Sequence, residues 1–193
     1  MNVKNDKETD RKSLGVDQRR RRAAKLAQRV SAGLIVLECE RRRRDTLSHT
    51  YFQNVMHIVF STKERRKIIP RQMKERLWAY TAGICQHQDI FVHSIGGMED
   101  DIHLLLQFPP TLMIADAINK IKANSSRWMS AEIGRFAWQQ GYGGFGVSKS
   151  NIAAVVRYIQ NQEQHHARMT FEEEFIAMLE KHGIEYDPRY VFG

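Results

Sequence analysis

The sequence predicts an α+β fold in which an antiparallel sheet carries helices packed on one face, plus C-terminal helices. Three observations support this class. Apolar segments of strand length and of helix length follow one another, glycine or proline stands at many of their ends, and 193 residues suffice for one well-packed domain but not for two large ones. No apolar run approaches the roughly 20 residues that a membrane-spanning helix needs, so we expect no membrane partner.

Four segments are predicted to form strands. Phe52 to Ser61 alternates well enough for the first, and Ile90 to Ile95 and Ile102 to Phe108 form the next two around a Gly96-Gly97 turn. The glycine-rich segment 141–146 indicates a hairpin or short strand, or a backbone that must approach another group closely.

Four further segments have helical spacing. They run from Pro70 to about Gln86, from Thr111 to Ile133, from Asn151 to His165, and from a capping box that starts at Thr170 to a stop at Gly183. The order is then strand, helix, two strands, helix, short strand and two helices. This order is typical of a ferredoxin-like fold, an antiparallel sheet with helices on one face.

The positive charge is concentrated at the N-terminus. The chain has 30 Lys and Arg against 22 Asp and Glu, but residues 1–46 alone hold 14 against 7. We interpret 1–46 as a basic, disordered extension and 47–193 as the folded domain. Two alternatives stay open for the extension: a tail that contacts phosphates, or sequence upstream of a translation start near Leu47.

The cellular compartment is predicted from cysteine usage and from the N-terminus. Two cysteines, Cys39 and Cys85, cannot form a disulfide framework, and the basic N-terminus lacks the apolar segment of a secretory signal. We therefore expect a cytoplasmic protein.

Two pairs of residues are candidates for chemistry. Asp101 and His103 lie two apart at the start of a strand, so both side chains point to one face and could hold one metal ion. Tyr158 and Gln162 lie four apart on a predicted helix, at the edge of its apolar stripe. From spacing alone, each pair is more typical of ordinary surface or packing residues than of a functional site.

A third candidate is a basic and hydroxylic stretch that suits contact with a DNA backbone. The alternative is the polar face of a helix that carries one core tryptophan. Its predicted DNA-binding residues are Lys120, Lys122, Ser125, Ser126 and Arg127.

In combination these segments resemble a known family. The matching stretches are SHTYFQNVMHIVFSTKERR, GGMEDDIHLLLQFPPT, IKANSSRW, WQQGYGGFGVS, VRYIQNQEQHH and HGIEYDPRYVFG, which are distributed between residues 48 and 193. Residues 48–193 resemble the single-tyrosine HUH transposases of the insertion-sequence-200-like group, which include the REP-associated tyrosine transposases.

The resemblance implies an enzyme that cleaves and rejoins single-stranded DNA next to a hairpin. Carried over by position, Tyr158 is the nucleophile that forms a 5′-phosphotyrosine link, and His103 and Gln162 are ligands of a Mg²⁺ or Mn²⁺ ion. It also implies a homodimer, in which Tyr158 could complete the partner's metal site. The apolar strand from Val55 to Phe60 is a candidate edge for that pairing.

The chain departs from the family at one position. Asp101 stands where the first histidine of a His-x-His pair is expected. Aspartate is a hard oxygen ligand that suits Mg²⁺ or Mn²⁺, so we expect a site that still binds metal. Two alternatives remain: a catalytically silent protein of the same fold that binds hairpin DNA, and an α+β interaction module unrelated to DNA.

Overall fold

A four-stranded antiparallel sheet forms the centre of the molecule. The structure is a computed structural model that describes residues 51–166 and 169–191, and the predicted extension 1–46 lies outside the described residues. The strands have the spatial order β2-β3-β1-β4, which confirms the predicted ferredoxin-like α+β class. They are β1 (Val55–Ser61), β2 (Phe91–Gly96), β3 (Asp101–Gln107) and β4 (Gly143–Gly146).

Strand β1 lies inside the sheet, so the prediction that it is an unpaired edge is wrong. Its Val59 lies opposite His103 of β3 on one side and opposite Gly143 of β4 on the other. All of its residues except Met56 are buried. A near-continuous apolar strand is typical of a position covered on both faces and paired on both sides.

One face of the sheet packs against two long helices, as predicted. These are α1 (Lys74–Gln86) and α2 (Ile114–Ile133). Ile58 and Phe60 of β1 and Leu104 of β3 point to this face, where they join the largest core cluster. Short 3-10 turns at Lys63–Arg65, Arg71–Met73 and Lys149–Asn151 connect the elements.

The C-terminal helices cover the other face. They are α3 (Ile152–Gln160), α4 (Gln162–His166) and α5 (Phe171–Lys181). Because side chains alternate along a strand, this face receives His57 and Val59 from β1, and Asp101, His103 and Leu105 from β3. Polar strand residues are therefore enclosed between the sheet and the C-terminal helices.

Two glycines let these helices approach the sheet. A Cβ atom on Gly96 would lie 2.5 Å from the carbonyl oxygen of Ile159 in α3. A Cβ atom on Gly143 would lie 2.5 Å from the ring of Phe175 in α5. The close approach that the glycine-rich segment predicts therefore occurs at Gly143, and it sets the distance between α5 and β4.

The predicted helix from Asn151 to His165 is two helices, not one. Asn161 has φ −100° and ψ 21°, and it separates α3 from α4. A polar residue with a short side chain competes for backbone hydrogen bonds and tolerates such a break. The capping box on α5 is confirmed, because the Thr170 hydroxyl accepts from the Glu173 amide and the Glu173 carboxylate accepts from the Thr170 amide.

None of the helices that the structure describes within 51–166 and 169–191 has the length and apolar content to cross a membrane.

Candidate active site

Six polar side chains meet between the sheet and the C-terminal helices. Two strands and three helices supply them, and five of the six are buried. We call this group the histidine–tyrosine cluster; its members are His57, Asp101, His103, Tyr158, Gln162 and Glu174.

The two histidines are neighbours on adjacent strands. His57 of β1 and His103 of β3 lie diagonally on the same face of the sheet, since Val59 is directly opposite His103. Nε2 of His57 lies 3.0 Å from Nδ1 of His103, within hydrogen-bond distance. Burial lowers the pKa of His57 to about 4, and the charge of His182 adds to the effect. His57 is therefore neutral at physiological pH.

Asp101 starts β3 and points to the same face as His103, as the spacing predicts. Its Oδ1 accepts a hydrogen bond from the Met98 amide at 3.0 Å and lies 3.7 Å from Nε2 of His103. The side chain is fully buried. Burial raises the pKa of Asp101 to about 7, although the Met98 amide and the Lys74 ammonium partly oppose the rise.

Tyr158 and Gln162 both reach one oxygen of Glu174, despite the break between their helices. The Tyr158 hydroxyl donates to Oε1 of Glu174, and Nε2 of Gln162 donates to the same atom at 3.1 Å. The tyrosine ring lies edge-on to both histidines, with centroid distances of 6.0 Å to His57 and 6.1 Å to His103. Glu174 of α5 thus contacts both members of the predicted Tyr158–Gln162 pair.

Glu174 links the tyrosine to the histidines. It is buried, and its Oε1 lies 3.8 Å from Nε2 of His103. Burial raises the pKa of Glu174 to about 8, and the charge of Asp101 adds to the rise. Asp101 and Glu174 are therefore two carboxyl groups near one imidazole, an arrangement in which a cation or a proton relieves their repulsion.

Neither His57 nor Glu174 is among the site residues predicted from the sequence. His57 interrupts an apolar strand with a polar residue, and a buried polar residue needs a partner. Glu174 shares the inward face of α5 with Phe171 and Phe175, where an apolar residue is usual. A polar residue at a position where an apolar one is expected is therefore the sequence signal for both His57 and Glu174. The signal does not indicate which partner either residue contacts.

The donor atoms of the cluster have the right chemistry for Mg²⁺ or Mn²⁺. In an octahedral site with bonds of about 2.0 to 2.1 Å, neighbouring ligands lie about 3 Å apart. Nε2 of His103 lies somewhat further than this from its neighbours, at 3.7 Å from Oδ1 of Asp101 and 3.8 Å from Oε1 of Glu174. Oε1 of Gln162 is buried and has no hydrogen-bond partner in the described part of the chain. Among residues 51–166 and 169–191, no three His, Cys, Asp or Glu side chains already form a metal-binding group. The residue types fit a cation, and the side chains would have to move to enclose it.

Three of the five predicted DNA-binding residues of α2 are at least partly exposed, and the other two form hydrogen bonds with residues outside α2. Lys120 and Arg127 are exposed and lie seven residues apart, about two helical turns, and Ser126 is half-buried between them. Lys122 donates to the carbonyl oxygens of Gln140 and Gly141, at 3.0 and 2.8 Å. Burial lowers the pKa of Lys122 to about 8.

Ser125 is occupied inside the core. It is 1 % exposed and accepts a hydrogen bond from the Trp138 indole at 2.9 Å. Its hydroxyl is therefore not on the surface of α2.

Comparisons with known proteins give the family. The model of the family described as "Transposase IS200 like" matches residues 50–162. Transposases for insertion sequence element IS200 from Salmonella typhimurium and from Salmonella typhi are each 26 % identical over 125 residues, which cover 61 % of this chain and 82 % of theirs. A solved REP-associated tyrosine transposase bound to a REP hairpin shares the fold, with a TM-score of 0.50 and 12 % identity, over 68 % of this chain and 85 % of that one.

The matched segment contains β1, β3, α3 and the first residue of α4. It therefore includes His57, Asp101, His103, Tyr158 and Gln162, while Glu174 lies beyond it. With more than half of its length in that match, the chain belongs to the IS200-like transposase family.

Proposed function

We propose that this transposase cleaves and rejoins single-stranded DNA next to a hairpin, with Tyr158 as the nucleophile. One observation carries the proposal: the Tyr158 hydroxyl and Nε2 of His103 both face Oε1 of Glu174 within one protomer. A phenol oxygen and an imidazole nitrogen contributed by distant parts of the chain thus share one pocket. Such convergence is what a phosphoryl-transfer site requires.

The proposed reaction has two balanced steps. The Tyr158 oxygen attacks the scissile phosphorus, the bond to the 3′ oxygen breaks, and the phenol proton replaces that bond as a 3′-hydroxyl forms. The product on the protein is a 5′-phosphotyrosine. In the second step a 3′-hydroxyl attacks the same phosphorus, and Tyr158 leaves with a proton. The covalent link conserves the phosphodiester bond energy, so that rejoining needs no nucleotide.

The proposal includes a divalent cation, Mg²⁺ or Mn²⁺. Asp101 and His103 would hold it from β3, and Gln162 would offer its buried amide oxygen from α4. When bound, such an ion polarises the phosphate and orients it. The protein's own residues meanwhile bind the strand and keep the phenol oxygen in line.

Hairpin DNA is the proposed partner. A family resemblance and a structural neighbour that was solved with a REP hairpin support this choice. On α2, exposed Lys120 and Arg127 suit contacts with phosphates, with Ser126 between them. Lys122 is bound to the carbonyls of residues 140 and 141, so we propose that it acts mainly by holding the glycine-rich segment.

Two further expectations belong to the same proposal. The first is a homodimer; because Tyr158 already meets His103 within one protomer, dimerisation is not needed to bring these two together. The second is a cytoplasmic location, where the cell's DNA is available as substrate.

A second candidate function is hairpin-DNA binding without cleavage. The presence of Asp101 at the position of an expected histidine favours it, because two carboxyl groups beside His103 would repel a phosphate unless a cation or protons neutralise them. A protein that binds hairpin DNA without cleaving it would keep the fold and the exposed lysine and arginine side chains of α2.

One experiment separates the candidates. Purified protein is incubated with labelled single-stranded hairpin DNA and Mn²⁺, and a denaturant-resistant adduct is measured. We expect an adduct that disappears in Tyr158→Phe and persists in the control Tyr190→Phe, which alters an exposed tyrosine. DNA binding without any adduct would favour the protein that binds hairpin DNA without cleaving it. An absence of DNA binding would leave the interaction module unrelated to DNA as the remaining interpretation.

A further inference from the structure

His57 is a buried histidine for which the proposed reaction has no role. Its side chain is enclosed by the sheet and the C-terminal helices, and the residue is 5 % exposed. Its ring lies 5.2 Å from His103, 6.0 Å from Tyr158 and 6.3 Å from Phe145, measured between centroids. Among these three neighbours, His103 is the one that offers a hydrogen-bond partner to Nε2 of His57, at 3.0 Å.

The two histidines constrain one another. A neutral imidazole has one nitrogen that donates and one that accepts. When both rings are neutral, the pair can share one hydrogen in two ways: either Nδ1 of His103 donates to Nε2 of His57, or the reverse. The choice also fixes the second nitrogen of His103, which faces Oδ1 of Asp101 at 3.7 Å and Oε1 of Glu174 at 3.8 Å.

Only one of the two arrangements suits a cation. If Nδ1 of His103 carries the hydrogen, Nε2 presents a lone pair to the space between Asp101 and Glu174. If His57 donates instead, Nε2 of His103 carries a hydrogen and cannot bind a metal ion. In proteins, a histidine that ligates a metal through one nitrogen regularly donates a hydrogen bond from the other.

We propose that His57 is a positioning residue that fixes the tautomer and ring orientation of His103. It accepts the hydrogen on Nδ1 of His103, so that Nε2 of His103 faces the two carboxyl groups as a lone pair. His57 thus acts through His103, from β1 rather than from the strand that carries the Asp-x-His sequence. The inference rests on the proposed function in that a divalent cation is the group that Nε2 would meet.

The test combines histidine NMR with metal binding. The ¹⁵N resonances of His103 are recorded in metal-free protein and are assigned by their loss in His103→Asn. Mn²⁺ affinity is measured by calorimetry. The variants are His57→Phe, which keeps an aromatic ring and removes the nitrogens, and His57→Gln, whose carbonyl can still accept. His93→Phe is the control, because His93 lies on β2 next to Phe91 and outside the cluster.

We expect the wild-type protein to hold His103 with its hydrogen on Nδ1. His57→Phe should give a mixed or inverted tautomer and weaken Mn²⁺ binding by about 10- to 100-fold, the usual effect of losing a partner behind a metal-binding histidine. His57→Gln should retain most of both properties, and His93→Phe all of them.

Two results would overturn the proposal. One is a wild-type His103 whose hydrogen is on Nε2, which needs no variant to observe. The other is a folded His57→Phe with the wild-type tautomer and Mn²⁺ affinity. The wild-type tautomer is informative even if no metal binds, whereas failure of the proposed function is seen separately, as the absence of the Tyr158 adduct.

Discussion

The hydroxyl of Tyr158 donates to the carboxylate of Glu174, a residue of the C-terminal helix that lies 16 positions further along the chain. The contact joins the predicted nucleophile to α5 rather than to the strand that carries His103. Gln162 donates to the same oxygen, so one carboxylate organises two residues of the proposed reaction. A phosphate that approaches the Tyr158 oxygen has to meet this carboxylate.

Glu174 predicts a pH dependence of stability in metal-free protein. Its pKa is raised from 4.5 to about 8, so between these values the folded state binds more protons than the unfolded state, and stability falls as pH rises. His57, with its pKa lowered from 6.5 to about 4, has the opposite effect, which is complete above pH 6.5. Between pH 6.5 and 8 the raised pKa values of Asp101 and Glu174 therefore dominate the pH dependence of stability.

We expect the wild-type free energy of unfolding to fall by at most about 2 kcal/mol more than that of Glu174→Gln across this window. Denaturant unfolding with a chelator present measures it. Glu180→Gln, on the exposed side of the same helix, should keep the wild-type dependence. If the free energy of unfolding changes with pH equally in wild type and Glu174→Gln, Glu174 is ionised across the whole range from pH 6.5 to 8.

Asp101→His should keep or raise DNA cleavage. The change restores the expected histidine and removes one of the two carboxyl groups beside His103. The yield of the covalent hairpin adduct measures the effect, and Asp100→His, which alters the preceding residue, is the control. A markedly lower yield from a folded Asp101→His protein would contradict the prediction.

Deletion of residues 1–46 should leave the thermal stability of the folded domain unchanged, because the described core is built from residues after 50. A thermal melt of the shortened chain tests this. If the extension contributes to DNA affinity, the contribution should be independent of sequence and should weaken with salt. A large drop in melting temperature would mean that the extension packs on the domain.

Gly143→Ala should destabilise the protein by about 1 to 3 kcal/mol, the usual cost of overpacking. The added methyl group would lie 2.5 Å from the ring of Phe175 and would push α5 away from β4. Gly146→Ala is the matched control on the same strand, since no atom of the described residues other than those of Gly146 and its two chain neighbours lies within 4 Å of its added methyl group. Denaturant unfolding should separate the two variants, and equal stabilities would argue against this close contact.

Much of the fold could be predicted because it depends on sequence patterns between near neighbours along the chain. The capping box at Thr170 and the apolar run of β1 each depend on residues a few positions apart. Sequence spacing does not indicate the helix break at Asn161, because the break depends on backbone geometry at one residue.

The candidate site was partly predictable for the same reason. The two-residue spacing of Asp101 and His103 is enough to place both side chains on one face of a strand, and β3 has them there. No local pattern could bring in His57 or Glu174, since their partners lie 46 and 16 residues away.

The sequence by itself determined the order of the elements, the face on which each strand residue lies, and the family to which the protein's motifs point. Only the tertiary structure decided that β1 is central, that α5 covers the second face, and that His57 and Glu174 join Tyr158. The physical reason is range: hydrophobic periodicity acts between near neighbours along the chain, whereas the packing of a helix on a sheet depends on the shape and charge of surfaces that meet only when the whole domain has folded.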